Sequence, residues 1–154
     1  MKACCEFGHS DFDASNDVIE KIRNKLLYLI EEENYDTFYL GNKGLFDYFI
    51  AKELYEIKKI YPHINRVLVL AYLNQKVTNN EKEYRDKMFD EILFPPLEKV
   101  PLRFAYSKRN QWIINNSDYI IFFVDYSWGK SMKMLEYANR KHKEYINYGK
   151  KTPC

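Results

Sequence analysis

The chain has 154 residues, of which 46% are hydrophobic, 17% aromatic and 30% charged, and its formal net charge is +2. That length suits one domain burying about two-thirds of its unfolded surface, and so small a charge makes nucleic acid an unexpected main partner. No run approaches the roughly 18 apolar residues of a membrane span, no signal or transit peptide is visible ahead of the first strand pattern, and the expected location is cytoplasmic.

In chain order, residues 2–7 form a short apolar run ending at Gly8, a first strand. Asp13, Ser15 and Asn16 offer caps for a helix in which Val18, Ile19, Ile22, Leu26, Leu29 and Ile30 recur at helical spacing, and Asn34 closes it. Residues 35–40 make a second strand ending at Gly41. A one-sided helix follows over 45–60, carried by Phe46, Phe49, Ile50, Leu54, Ile57 and Ile60, and Pro62 stops it. Residues 66–73 are nearly continuous apolar sequence, the pattern of a strand covered on both faces. Residues 74–101 are polar and then punctuated by Pro95, Pro96 and Pro101, which predicts an irregular excursion with one short strand near 92–94. A helix over 104–116, a strand over 118–124, a loop over 125–131, a helix to about 143 and a short strand over 145–148 complete the chain.

Strands alternating with helices argue for a mostly parallel sheet with right-handed crossovers. The expected fold is a single α/β domain over 1–154, a Rossmann-like three-layer sandwich. The cysteines are Cys4, Cys5 and Cys154. Adjacent strand residues point to opposite faces, so the set offers neither a disulfide framework nor metal-ligand spacing, and no metal is expected.

Glycines at the strand ends draw the eye to three turns. In Gly8-His9-Ser10, N–H groups and the Ser10 hydroxyl suit a phosphate or ribose; the plain alternative is a tight turn that caps a helix. Gly41-Asn42-Lys43-Gly44 makes a backbone nest for oxyanions, with Phe46 and Asp47 just beyond it. Asp47 there suits a ribose hydroxyl, or is simply a favourable charge in a first helical turn. The loop Asp125-Tyr126-Ser127-Trp128-Gly129-Lys130-Ser131 again describes an anion cradle ahead of a helix, with Trp128 able to stack on a base or to wedge into the core. Arg109 and Asn110, on the preceding helix, suit a phosphate. Glu136 lies within two turns of this loop and is either a base or a solvated helix residue, while His63 and His142 look isolated.

These segments in this order resemble the SLOG superfamily of Rossmann-like nucleotide-binding proteins, and most closely its small YpsA-like type. The resemblance rests on Cys5-Glu6-Phe7-Gly8-His9-Ser10, on residues 36–47, on Tyr61-Pro62-His63-Ile64-Asn65 and on Pro101-Leu102-Arg103-Phe104-Ala105. It continues through Ser107-Lys108-Arg109-Asn110-Gln111-Trp112 and Ser117-Asp118-Tyr119 to Ser127-Trp128-Gly129. Where the subgroup usually reads Gly-His-Arg, this chain has Ser10. Related LOG enzymes are phosphoribohydrolases; Arg109 and Asp118 match their arginine and aspartate, and Glu136 falls several residues later than their glutamate. Their glycine-rich stretch is replaced here by residues 125–131. Other SLOG domains sense ADP-ribose-type or related signals in bacterial immunity. The resemblance therefore implies no cofactor but a nucleotide-derived ligand, bound by a sensor or a sequestering sink. It leaves open a phosphoribohydrolase using Arg109 and Glu136, or a regulatory adaptor. It also implies a homo-oligomer, either dimer or tetramer.

Overall fold

A computed structural model describes residues 1–72 and 77–153. The expected end of the third strand at Leu73, the first residues of the polar excursion and Cys154 lie outside the described residues. The elements are β1 (Ala3–Gly8), α1 (Asn16–Glu31), β2 (Thr37–Leu40), α2 (Leu45–Ile60), β3 (Asn65–Val69), α3 (Asn79–Met88), β4 (Glu91–Leu93), α4 (Leu102–Asn115), β5 (Tyr119–Phe123), α5 (Lys130–Arg140) and β6 (Glu144–Asn147). Among the described residues, six strands form one sheet in the order β4-β3-β2-β1-β5-β6, and every pairing is parallel. This is a Rossmann-like α/β domain.

The alternation of β1 explains the layering. Cys4 joins a core with Ile22, Leu26, Ile50 and Leu54 from α1 and α2. Ala3, Cys5 and Phe7 join a second core on the other face, with Ile113 and Ile114 from α4 and Leu135 from α5. Each fully buried Leu, Ile or Phe contributes about 1.5–3 kcal/mol of transfer free energy. Both Cys4 and Cys5 are buried, and desolvation pushes the Cys5 thiol up to about 12, which disfavours the nucleophilic thiolate.

The helix α3 replaces part of the expected irregular excursion. Its start is signalled by Thr78, whose side chain accepts from the Glu81 N–H at 3.2 Å, a Thr-x-x-Glu capping pattern. It was invisible to apolar spacing because only Arg85 and Met88 are buried along it. The helix α4 begins at Leu102, directly after Pro101, and α5 ends at Arg140, short of the expected 143, with His142 at φ 55. The helix α1 ends at Glu31 with Glu32 as its C-cap, ahead of Asn34, which has φ 60. Among the described residues, no helix is long and apolar enough to cross a membrane.

From β1 the chain winds outward through β2 and β3 to β4, then returns over α4 to β5 on the other side of β1. The carboxyl ends of β1 and β5 are therefore the topological switch point, where open α/β sheets bind their ligands.

Candidate functional site

A cleft of about 460 Å³ opens at that switch point. The turn after β1 brings Gly8, His9 and Ser10 to it, the turn after β2 brings Gly41, Lys43, Gly44 and Asp47, and α4 brings Arg109 and Asn110. The loop into α5 adds Trp128, Gly129, Lys130 and Ser131. Four segments far apart in sequence thus share one concavity.

Two glycines explain how the turns fit together. A Cβ on Gly44 would stand 2.6 Å from Ser10 Cα, and Leu45 N–H donates to the Ser10 carbonyl at 3.0 Å, so the first and second turns interlock. Gly129 adopts φ 96, a left-handed conformation that favours glycine. A Cβ there would meet nothing within 4 Å, so open space lies on that side.

These glycines give two helices no side-chain cap. The N-cap of α1 is Ser15, whose hydroxyl accepts from Val18 N–H at 3.3 Å, and α3 is capped by Thr78. By contrast, α2 starts at Gly44 and α5 at Gly129, neither with a side-chain cap. Both starts line the cleft, and an uncapped N-terminus offers N–H groups and partial positive charge to an anion.

The floor carries charge. Arg109 is 4% exposed; its Nε and Nη2 donate to the Val69 carbonyl at 2.8 and 2.6 Å, and its Nη1 donates to Asn110 Oδ1 at 2.6 Å. Five guanidinium donors exist, so two N–H groups are left over. Beside it, Glu6 is 5% exposed, and its Oε1 accepts from Gly41 N–H at 3.2 Å. Burial pushes the Glu6 carboxyl well above the usual carboxylate range, and the adjoining Asp47 carboxylate pushes it further. Asp47 Oδ2 accepts from Lys43 N–H at 2.8 Å.

One wall is a stack of rings. His9 lies 3.5 Å from Tyr126 at an interplanar angle of 8°, and Tyr126 lies 4.1 Å from Trp128 at 18°. His9 Nε2 accepts from Asp125 N–H at 2.8 Å, which places the proton of the neutral ring on Nδ1. Burial holds the His9 pKa below its ordinary value, against the pull of Asp11 and Asp125. Tyr126 Oη donates to Asp11 Oδ1 at 2.8 Å. Trp128 ends the stack and is 69% exposed, so it stands at the rim rather than in the core.

Several expected residues lie elsewhere. Phe46 is fully buried, its ring packed over the Gly8 Cα and against Phe12 and Phe123, so it offers no stacking surface to a ligand. Asn42 is not among the residues lining the cleft; its carbonyl accepts from Tyr48 Oη at 3.1 Å. Ser127 is exposed and also off the lining. On α5 the cleft is met by Lys130, Ser131 and Met134, and Glu136, two residues past Met134, falls about 200° around the helix, away from it. Asp118, matched to the LOG-type aspartate, accepts from Ala3 N–H at 2.9 Å at the amino edge of the sheet, the end opposite the cleft. Conversely, Glu6, Tyr39, Tyr106 and Tyr126 line the cleft without having been singled out. An acid inside a buried apolar strand was the available signal for Glu6; the tyrosines carried none.

A family model for the YspA SLOG family matches residues 5–152, and the chain belongs to that family. It is also similar to a UPF0398 protein of Brevibacillus brevis (strain 47), with 24% identity over 137 residues, covering 85% of this chain and 72% of that protein.

Proposed function

We propose that the switch-point cleft binds a nucleotide or nucleotide-derived ligand, of ADP-ribose or cyclic-nucleotide type, and holds it without turnover. The observation that carries this reading is the convergence of two glycine-started, uncapped helix ends on one cleft that also holds Arg109. Phosphate suits those ends and the spare guanidinium donors, with Lys43 and Lys130 adding positive charge at the mouth. A base suits the open face of Trp128. The YspA SLOG membership fits a nucleotide-related role. A sensor acting in trans, or a sink that keeps a signal from its receptor in bacterial or phage conflict, needs nothing more than such a pocket. Self-association, which exposed Leu102 and Phe104 at the start of α4 would support, is part of the same reading.

Calorimetric titration with AMP, ADP-ribose and a cyclic dinucleotide tests it, together with mass spectrometry of ligand co-purified from cells. Stacking on an aromatic is worth roughly 1–3 kcal/mol per base, so Trp128→Ala is expected to weaken a bound nucleotide about tenfold or more. No binding by any of the three probes, and no co-purified nucleotide, overturns the proposal. Base or sugar released on incubation, in place of intact ligand recovered after denaturation, replaces holding with hydrolysis.

A further inference from the structure

The cleft floor contains an acid that none of the phosphate chemistry uses. Glu6 sits on β1, in the middle of the sheet, and its Oε2 is buried without a hydrogen-bond partner. Its neighbour across the floor is Asp47, and the two carboxyls meet around Gly41, whose N–H donates to Glu6 Oε1 at 3.2 Å. Asp47 Oδ2 and Arg109 Nη2 approach the same point, lying 2.9 and 3.1 Å from where a Gly41 Cβ would stand. Yet the guanidinium spends three donors on the Val69 carbonyl and Asn110, and it forms no ion pair with either carboxylate among the described residues. Of two carboxyl groups converging on one residue, a buried one without a cation partner is the less able to carry charge.

We propose that Glu6 and Asp47 hold one proton between them, and that Asp47, kept as the charged acceptor of the pair, reads the vicinal hydroxyls of a ribose while the acidic floor turns phosphate toward the uncapped helix ends at the mouth. Glu6 is the positioning residue and acts through Asp47. The ligand half of this rests on the nucleotide reading above; the shared proton does not.

The surroundings favour the protonated form. The charged or titratable groups that face Glu6 are Asp47 from α2, Arg109 and Tyr106 from α4, Tyr84 from α3, and Cys4 and Cys5 on its own strand. Of these only Arg109 is a cation, and its pull on Glu6 is outweighed by burial and by Asp47. The direction of the pH effect follows: the pair is poised to read hydroxyls while the proton is held, and loses that state as pH rises and a second buried charge forms.

Infrared spectroscopy of the unliganded protein tests the proton directly. Of the 22 acidic side chains, all but one should give carboxylate bands at neutral pH, and the remaining one should give a protonated carboxyl C=O band that disappears in Glu6→Gln. A spectrum with no such band overturns the proposal and leaves the nucleotide reading intact. Calorimetry with AMP and with 2′,3′-dideoxy-AMP tests the ligand half. AMP is expected to bind at least tenfold tighter, and its affinity should fall by up to about tenfold per pH unit once the proton leaves. Glu6→Gln, which keeps a donor in that place, should bind AMP at least tenfold tighter than Glu6→Leu and show no such fall. Equal binding of the two nucleotides, or one pH profile for wild type and Glu6→Gln, overturns it. If neither nucleotide binds at any pH while the band is present, the nucleotide reading fails and the hydroxyl reading with it.

A stability readout separates the proton from simple packing. A buried acid with a raised pKa stabilises fully below its unfolded value, near 4.5 here, and loses that contribution as pH rises through the folded value. The midpoint of thermal unfolding of the wild type, relative to Glu6→Gln, should therefore drop as pH rises from 4.5 upward. A constant difference overturns the shared proton.

Discussion

Arg66 and Arg109 are both buried, at 6% and 4% exposure, and both lie beside an aspartate, yet the fold treats them in opposite ways. Arg66, on β3, grips Asp90 through Nε and Nη2 at 3.0 Å each, and its own backbone N–H donates to the same carboxylate at 2.9 Å. Lys58 Nζ stands 3.4 Å from Asp90 as well. Burial alone would raise the Asp90 pKa, but these hydrogen bonds and charges bring it down to about 2. Arg109 is held by a carbonyl and an amide, and Asp47 is engaged by a backbone N–H. At the β3–β4 edge charge is consumed by structure; at the switch point it is held in place and left available. The same division separates Ser15 and Thr78, which close their helices, from Gly44 and Gly129, which do not.

The comparison is broken most forcefully at the closed pair. Removing one partner of a buried ion pair costs about 3–5 kcal/mol because a charge is stranded. Asp90 is partly open to solvent, so Asp90→Ala should cost about 3 kcal/mol in urea unfolding and leave AMP affinity unchanged. Because the Asp90 pKa is depressed, its contribution is present above the ordinary value of 3.8 and is lost as pH falls toward about 2. Acid unfolding of the wild type should steepen below pH 4, and that component should vanish in the variant.

Arg109→Met should invert the pattern. Hydrogen bonds to charged groups contribute roughly 1.5–3 kcal/mol, so AMP or ADP-ribose affinity should fall by a factor of about ten to a hundred, with a smaller shift in the urea midpoint than Asp90→Ala gives. If Arg109→Met proved the more unstable variant and bound nucleotide normally, the two arginines would be doing the same job.

Why only part of this could be read from residues alone is a matter of what packing decides. The apolar runs at 66–73 and 118–124 and the one-sided faces of α1 and α2 report burial directly, so strands, crossovers and the mostly parallel sheet followed. The three strand-end turns announced themselves through glycine, and the structure brings them to one cleft. Phe46 shows the limit. A phenylalanine just beyond a glycine turn reads equally as a platform or as core, and only its seat over Gly8 decides. Glu136 fails by phase: a two-residue step past Met134 turns it from the cleft, and its distance along the chain hides that. Glu6 was passed over inside an apolar run, although a lone acid in a central strand is the costliest residue there.

A smaller effect probes Gly129. At φ 96 and ψ 177 Gly129 occupies a region essentially confined to glycine, which costs a residue with a Cβ roughly 1–3 kcal/mol, and no atom lies within 4 Å to add a clash. Gly129→Ala should therefore lose about 2 kcal/mol of stability, and any larger loss of AMP affinity reports displacement of the α5 N–H groups from the phosphate.

The smallest expected effect sits at a closed helix end, and its value lies in what it leaves alone. Ser15 gives α1 a hydrogen bond from Val18 N–H, and a serine cap replaced by alanine costs about 1 kcal/mol. Urea unfolding of Ser15→Ala should show that loss, while calorimetry shows AMP binding as in the wild type. Helix starts at Ser15 and Thr78, whose own side chains cap the first turn, would then differ in function from those after Gly44 and Gly129, which lack a side-chain cap and line the cleft. Added inorganic phosphate should sharpen the contrast, raising the unfolding midpoint of wild type and Ser15→Ala by the same increment, because the mass-action gain depends on the site and not on α1. A phosphate increment that shrank with the loss of the Ser15 cap would place the anion on α1 instead.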